Sequence, residues 1–482
     1  MAKSAKFSLK LLIDEKRNKV VLAEADQDFV DVLISLLALP MGIIARLLEN
    51  HKDFQTVVLG CYKNLKRSVA DMGMEHFETQ ACKSMLLNPK SSEEIHCRRL
   101  KLNMGDTDAT KFFMCPKFFK NGDSCSNLYS NFNTSRCSCG GLMNYQIPVS
   151  EDQLGEVIGD SADGVFVSCR SSFIVTDDLK VTPNSIGGIM KVLNNQGYHG
   201  FSDLQETLLD VGFEEVVTLL GCLFTTETPL TCAFLKKPCV TRMLKMLSPP
   251  VAKTKTGRVE PSSVYSVKVY VRKVDREILF AECNEDFIDS LLSFLIFPLE
   301  LACSLCNDNT IFGCVGNLCR SPCRRASASN FYQYPYYYKC SHNELFNHHT
   351  WLSPVYECFV PSNSWDFKVL ARQIKRSLLS KGGKIVKVFP NNPKVMSGTS
   401  SGFMKKNTKF IVSNDLVITP INSSSTIGLL KNLHVDFGDL EEHQISISRE
   451  ALISILRASL ISSSALTNGL SNLLLKKPKQ ET

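Results

Sequence analysis

The stretch Phe7–Pro40, FSLKLLIDEKRNKVVLAEADQDFVDVLISLLALP, decides the architecture, because Tyr265–Pro298, YSVKVYVRKVDREILFAECNEDFIDSLLSFLIFP, lies over it without a gap. The two share 11 of 34 positions, among them Ser8/Ser266, Lys10/Lys268, Ala23/Ala281, Glu24/Glu282, Asp28/Asp286, Phe29/Phe287, Asp31/Asp289 and Pro40/Pro298. Further matches follow in the same order. GCYKNLKRS from Gly60 answers GCVGNLCRS from Gly313, FIVTDDLKVTP from Phe173 answers FIVSNDLVITP from Phe410, and LKKP recurs at Leu235–Pro238 and Leu475–Pro478. A repeat of this size takes precedence over any single motif. It reads as a tandem duplication, with units at 7–245 and 265–478 joined by a basic, proline-containing linker at 246–264.

Each unit reads as α+β. Apolar-rich runs at Leu9–Ile13 and Lys19–Glu24 flank the polar Asp14–Asn18, a hairpin signal. Phe29, Val32, Leu33, Leu36 and Leu37 then recur at helical spacing, matched by Phe287, Leu291, Phe294 and Leu295. Pro40 and Pro298 end that helix or open the next. The FIV runs predict strands that lead into turns. Thr182-Pro183 and Thr419-Pro420 then predict helix N-caps with proline at the first helical position. Helices around Glu214–Phe224 and Glu450–Leu460 close the units. Strand and helix do not alternate as a doubly wound sheet requires.

At 482 residues, 44% hydrophobic and 21% charged, the chain has the composition of a multidomain globular protein. Fibrous, collagen-like and wholly disordered classes are excluded. The formal net charge of +7 has one address: seven lysines and arginines between Lys236 and Arg258, with no acidic residue among them. The opening MAKSAKFSLKLLIDEKRNK lacks the apolar core of a secretory signal. The apolar stretches Val32–Ala45 and Leu291–Cys303 are interrupted by Pro40 and by Pro298 and Glu300, and read as core helices rather than membrane spans. A soluble protein of the cytoplasm or nucleus, with its 19 cysteines reduced, is the expectation.

The hairpin followed by AEADQDFVDVLISLLALPMGIIARLL, the GC..NL.RS segment, the C-x-C-G-G element and the F-I-V…D-L..T-P run together resemble a plant family, domain of unknown function 674. The resemblance covers nearly the whole chain. It implies a plant origin and a unit that often occurs twice, and it brings no activity or catalytic residues to carry over. It also implies zinc-ribbon ancestry for the insertion at about 112–143, where family members carry paired cysteine knuckles.

That insertion holds Cys115, Cys125, Cys137 and Cys139, in CPKFFKNGDSCSNLYSNFNTSRCSCGG. Four thiolates can hold zinc tetrahedrally, and Gly140 and Gly141 permit the tight turn of a knuckle. The spacing departs from a ribbon: Phe118 stands where a C-x-x-C knuckle needs its second thiol, and the last pair is C-x-C. Cys125 or Cys97 can substitute. A structural zinc site and a decayed ribbon of reduced thiols are the two readings. In the second unit Cys314 matches Cys61 and reads as core, while Cys319 and Cys323 have no counterpart. Cys340 answers Cys115, and His342, His348, His349 and Cys358 follow without zinc spacing.

Other motifs have bland readings. Glu24, Asp28 and Asp31, repeated as Glu282, Asp286 and Asp289, suit helix capping better than acid–base chemistry. Asp178 and Asp415 suit turns. Lys381-Gly-Gly-Lys384 lacks P-loop spacing, and no G-x-S-x-G or H-E-x-x-H occurs. The sequence points away from catalysis and designates no catalytic residue. The basic linker, and Arg320, Arg324 and Arg325 ahead of FYQYPYYY, offer a nucleic-acid alternative. The leading expectation is a non-enzymatic interaction or scaffold protein with a protein partner, whose variable contact surfaces are Arg320–Tyr338 and Asn391–Lys409. A zinc-stabilised nucleic-acid-associated protein and an enzyme of unrecognised type are the alternatives.

Overall fold

A computed structural model describes residues 5–51, 59–91, 93–105, 111–120, 125, 127–147, 164–167, 172–237, 265–306, 313–322, 356–361, 368–369, 383–391, 402–422, 427–428, 431 and 436–474. In the N-terminal half the main elements run β1 (Phe7–Asp14), β2 (Lys19–Ala25), α1 (Gln27–Ser35), α2 (Met41–Glu49), α3 (Gly60–Asp71), α4 (Gln80–Leu87), β3 (Phe112–Met114), β4 (Leu128–Ser130), β5 (Tyr145–Ile147), β6 (Phe173–Thr176), β7 (Val181–Pro183), α5 (Ile186–Asn195), β8 (Leu204–Val211), α6 (Phe213–Thr225) and α7 (Pro229–Phe234). The C-terminal half follows with β9 (Tyr265–Arg272), β10 (Ile278–Asn284), α8 (Glu285–Ser293), α9 (Leu299–Cys306), α10 (Gly313–Cys319), β11 (Tyr356–Pro361), β12 (Lys368–Val369), β13 (Gly383–Pro390), β14 (Lys409–Ser413), β15 (Ile418–Pro420), β16 (Leu440–Ile447), α11 (Arg449–Ile461) and α12 (Ala465–Leu474). The architecture is α+β. Among the described residues no helix is long and apolar enough to cross a membrane.

Two five-stranded sheets have one order, β7-β6-β2-β1-β8 and β15-β14-β10-β9-β16, and the pairings given for both are antiparallel. Alternation along β1 sends Phe7, Leu9 and Leu11 inward, as it sends Val267, Val269 and Val271 inward along β9. Phe7 meets Phe29 of α1 edge-on at 5.9 Å between ring centroids, and Tyr265 meets Phe287 of α8 at 5.9 Å. The inner faces and helices of both halves form one continuous apolar core. A six-stranded sheet, β12-β11-β13-β4-β3-β5, joins the two insertions, with β13 lying parallel to β4.

The halves meet first at two prolines. Pro40 and Pro298 face each other in an antiparallel bridge, and since proline has no amide the neighbours hold the crossing. Met41 N donates to Phe297 O (2.8 Å), and Leu299 N donates to Leu39 O (3.0 Å). Gly42 N reaches Leu295 O at 2.8 Å, and a Cβ on Gly42 would stand 3.0 Å from that oxygen. From this crossing each half sends a helix into the other. Asn64 of α3 donates to the Asp415 backbone and side-chain oxygens (2.9 Å each), and Asn317 of α10 donates to the same oxygens of Asp178 (2.7 and 3.1 Å). The Cys61 thiol reaches Ser462 O at 3.2 Å, and the Cys314 thiol reaches Glu227 O at 3.6 Å. Ser68 Oγ accepts from Ile418 N at 2.9 Å.

The turns that receive these helices, Thr176–Lys180 and Ser413–Val417, each carry a buried leucine in the left-handed region, Leu179 at φ 61° and Leu416 at φ 63°. That conformation costs an L-residue about 1–2 kcal/mol. In exchange the leucine enters the core while the aspartate before it faces the other half. The second residue of each turn works inside its own half. Asp177 accepts from Thr231 N and Oγ1 (2.9 and 2.7 Å), while Asn414 accepts from Thr467 N (3.0 Å).

Two expectations are corrected. Thr182-Pro183 and Thr419-Pro420 do not cap helices; they lie in the edge strands β7 and β15, where a missing proline amide costs no ladder bond. Ser185 caps α5 instead, its Oγ accepting from Gly188 N at 3.1 Å. Nor does Asp28 cap α1. Asp26 does so, accepting from Phe29 N (2.8 Å), and Asp28 pairs with Lys101 on the surface at 3.8 Å.

Asp31 is not a dipole-facing carboxylate either. It is buried and accepts from the amides of Val165, Phe166 and Val167 (2.7, 2.8 and 3.0 Å); Asp289 accepts from Phe403 and Met404 (2.7 and 2.9 Å). Burial pushes the Asp31 carboxyl above its ordinary value, against the pull of the three amides. A Cβ on Gly402 would lie 1.9 Å from Asp289 Oδ2, and one on Gly164 would lie 2.6 Å from Asp31 Oδ2, so glycine lets each chain approach its carboxylate. Removing the carboxylate leaves buried amides unpaired, at roughly 1–3 kcal/mol for each. Asp31→Ala and Asp289→Ala should lower the urea midpoint well below that of Asp31→Asn and Asp289→Asn, which keep an acceptor oxygen. Equal midpoints for the alanine and asparagine variants would refute this role.

Candidate metal centre

The chain enters the small sheet along β3, and Cys115 follows that strand directly. Its amide-bearing turn, Cys115-Pro116-Lys117, closes with Phe118 N on Cys115 O at 3.1 Å, and the Lys117 amide also serves the Cys115 sulfur. The second arm is a tight hairpin tip. Cys137 N reaches Gly141 O (2.9 Å), Gly140 N reaches Cys137 O (2.8 Å), and Met143 N reaches Ser135 O (2.9 Å). Gly140 has φ +78°, a conformation for which an L side chain is strained. At Gly141 an added Cβ would already stand 3.4 Å from both the Cys115 and Cys139 sulfurs. Cys125 comes in from the segment before β4.

These three pieces bring the sulfurs of Cys115, Cys125, Cys137 and Cys139 within 4.8 Å of one another. Cys115 and Cys139 are 3.6 Å apart, Cys125 and Cys139 3.7 Å, and Cys125 and Cys137 3.1 Å. A tetrahedron with metal–sulfur bonds of about 2.3 Å has edges of about 3.8 Å. Two of the three separations match that edge, and the third needs only a small spreading. None is close to the ~2.05 Å of a disulfide bond. Such a set can hold a metal ion, and with all four positions taken by sulfur it would leave none for substrate.

The electrostatics favour the same use. Burial pushes the Cys115 and Cys125 thiols up, while the Gly141 amide draws the Cys139 thiol down to about 7. One thiolate is therefore available near neutrality, and a divalent cation would lower the others, since the ligand form is deprotonated. Met143 and Leu128 pack beneath the sulfurs.

Other candidates lie elsewhere. Cys97 does not join the cluster: it is buried in the main core, where burial raises its thiol. Cys61 and Cys314 are core residues that bond across the halves, and burial pushes Cys61 up to about 12. Cys319 packs against the same core. Cys323, Cys340, His342, His348 and His349 fall outside the described residues, and Cys358 lies in β11. Lys10 pairs with Glu24 (3.9 Å) and Glu206 (3.7 Å), and Lys268 with Glu442 (3.0 Å), as cross-strand ladders on solvated sheet faces. Gly164 and Gly402, with the apolar residues after them, escaped the sequence reading; their recurrence as G-V-F and G-F-M was the available signal.

An α+β fold on two sheets of one strand order, with a four-sulfur centre, is the class these features define. The chain belongs to the family described as Protein of unknown function (DUF674), matched over residues 3–450. Comparison with curated proteins and with solved structures gave no match.

The Cys139 assignment has a direct check. In metal-free, reduced protein, alkylation at Cys139 should rise with pH through a midpoint near 7, below those of Cys115 and Cys125. A midpoint at the ordinary thiol value near 8.5 would remove the Gly141 amide from the account.

Proposed function

We propose that the protein is a non-enzymatic scaffold made of two copies of one α+β unit, with one structural zinc ion held by Cys115, Cys125, Cys137 and Cys139. The carrying observation is the convergence of these four sulfurs from three separate chain segments on one tetrahedral-sized space. Zinc fits because a four-thiolate tetrahedron is its common structural environment. The strands β3, β4 and β5 are only three residues each, so few ladder bonds hold them, although Phe112, Phe113, Met114, Tyr129 and Ile147 are buried there. A metal staple would tie these short segments together.

Support for a non-catalytic role comes from how the repeated polar residues are used. Asp31 and Asp289 bind backbone amides, Asp178 and Asp415 receive asparagines, and Lys10 and Lys268 sit in ion-pair ladders. The partner we assign is a protein, bound through Arg320–Tyr338 and Asn391–Lys409, the second apart from Gly402–Met404, which pack inside the fold.

Metal analysis of tag-free protein purified under reducing conditions should find one zinc per chain, and none in a Cys137→Ser, Cys139→Ser variant. Loss of zinc should remove amide-exchange protection across 112–147 and spare β1, β2 and β8. Wild-type protein without stoichiometric zinc would end the zinc half of the reading. Binding to DNA or RNA that falls steeply with salt, and weakens when the basic linker is neutralised, would replace the scaffold by the nucleic-acid reading.

A further inference from the structure

We propose that α3 with the Thr176–Lys180 turn, and α10 with the Ser413–Val417 turn, are two copies of one self-complementary docking surface. Its partner is a second unit of this same fold. The chain is then a fused pair, closed in cis, and once folded it does not need its linker to stay together. This rests on the two-copy part of the preceding reading and is independent of zinc.

The contacts have the form of an isologous interface, in which residue i of one partner meets j of the other and j meets i. Asn64 meets Asp415, and Asn317 meets Asp178. Cys61 reaches the carbonyl of Ser462, the residue that ends α11; Cys314 reaches that of Glu227 and, at 4.0 Å, that of Thr226, the residue that ends α6 and corresponds to Ser462. Either side of the proline bridge, Met41 N donates to Phe297 O and Leu299 N donates to Leu39 O. Two halves joined only by chance packing would have no reason to make these three contacts twice. The surface is also built like a subunit interface rather than a domain seam, because α3 and α10 bury Cys61, Tyr62, Leu65, Val69, Cys314, Val315 and Leu318. The asparagines fix register within that apolar ground, each satisfying a carbonyl and a carboxylate that the left-handed leucine turn has aimed outward.

The test uses the full chain with a protease site placed within 246–264 and cut after folding. The two pieces should leave a gel-filtration column together, at the 53.8 kDa of the intact chain and with its zinc content unchanged. Asn64→Asp and Asn317→Asp, which set carboxylate against carboxylate, should each raise the dissociation constant of the cut pieces at least about tenfold. Asn64→Ala and Asn317→Ala give the same reading with less charge, should an aspartate variant not fold. Cut protein with a tagged N-terminal piece, unfolded and refolded with isotopically heavy cut protein, should carry light and heavy C-terminal pieces alike. Separation of the wild-type pieces in native buffer, or asparagine variants indistinguishable from wild type, would overturn the inference. A zinc-free but associated pair would leave it standing and remove only the metal assignment.

Discussion

Where Pro40 faces Pro298 neither residue has an amide to give, so the crossing of the two halves is carried by Met41 and Leu299 on either side. That geometry constrains the rest. Beyond it α3 packs against β15 and α11 of the other half, and Asn317 of α10 reaches the Thr176–Lys180 turn. Each helix must then find its polar partner in a turn hundreds of residues away or nearly so: 351 positions separate Asn64 from Asp415, and 139 separate Asn317 from Asp178. A core shared by both halves follows, because α3 and α10 add apolar residues from the opposite half to the helices each half packs on its own sheet. Contacts of such sequence separation form late and carry a high loop-closure cost, which the apolar faces of α3 and α10 must offset.

The four-cysteine insertion answers a different physical problem. Its strands are three residues long; Cys115, Cys137 and Met143 are buried at the sulfurs, and Phe112, Phe113, Met114, Phe118, Tyr129 and Ile147 are buried beside them. Strands so short give few ladder bonds to set against chain entropy. Among the described residues its sheet neighbour from the C-terminal half is β13, paired with β4 over Phe389/Leu128 and Pro390/Tyr129, with Asn391 N on Tyr129 O at 2.6 Å. The strand between Cys125 and Cys137 is therefore also the strand that accepts the other half's insertion.

Much of the framework was legible in the sequence. The hairpin β1–β2, helix α1 and the late helices α6 and α11 follow from clean alternation or helical spacing. Edge strands β8 and β16 were not legible, because one flank and one face are in water and residues such as Glu206 and Leu208 blur the alternation. The threonine–proline pairs misled because a strand end and a helix start tolerate proline for the same reason, a donor that is not needed. Cys125 was uncertain on spacing alone. Its place depends on the fold of the segments between the sulfurs, which no fixed interval encodes. The recurrence of GC..NL.RS and D-L..T-P was visible, but a repeat in sequence does not reveal that one motif is the receptor for the other.

The reciprocal contacts also change what a substitution means. In a symmetric pair of identical chains every mutation is made twice, so damage at an interface is doubled and a neutral drift must be neutral in both places at once. Within one chain each lesion occurs once, while its counterpart keeps the original chemistry. Asp177 and Asn414 already occupy equivalent turns with different side chains, one binding a threonine and the other a threonine and a glutamate. On the proposed two-copy reading, covalent joining leaves each half free to carry its own insertion, one with four cysteines brought together and the other without the full four at matching positions.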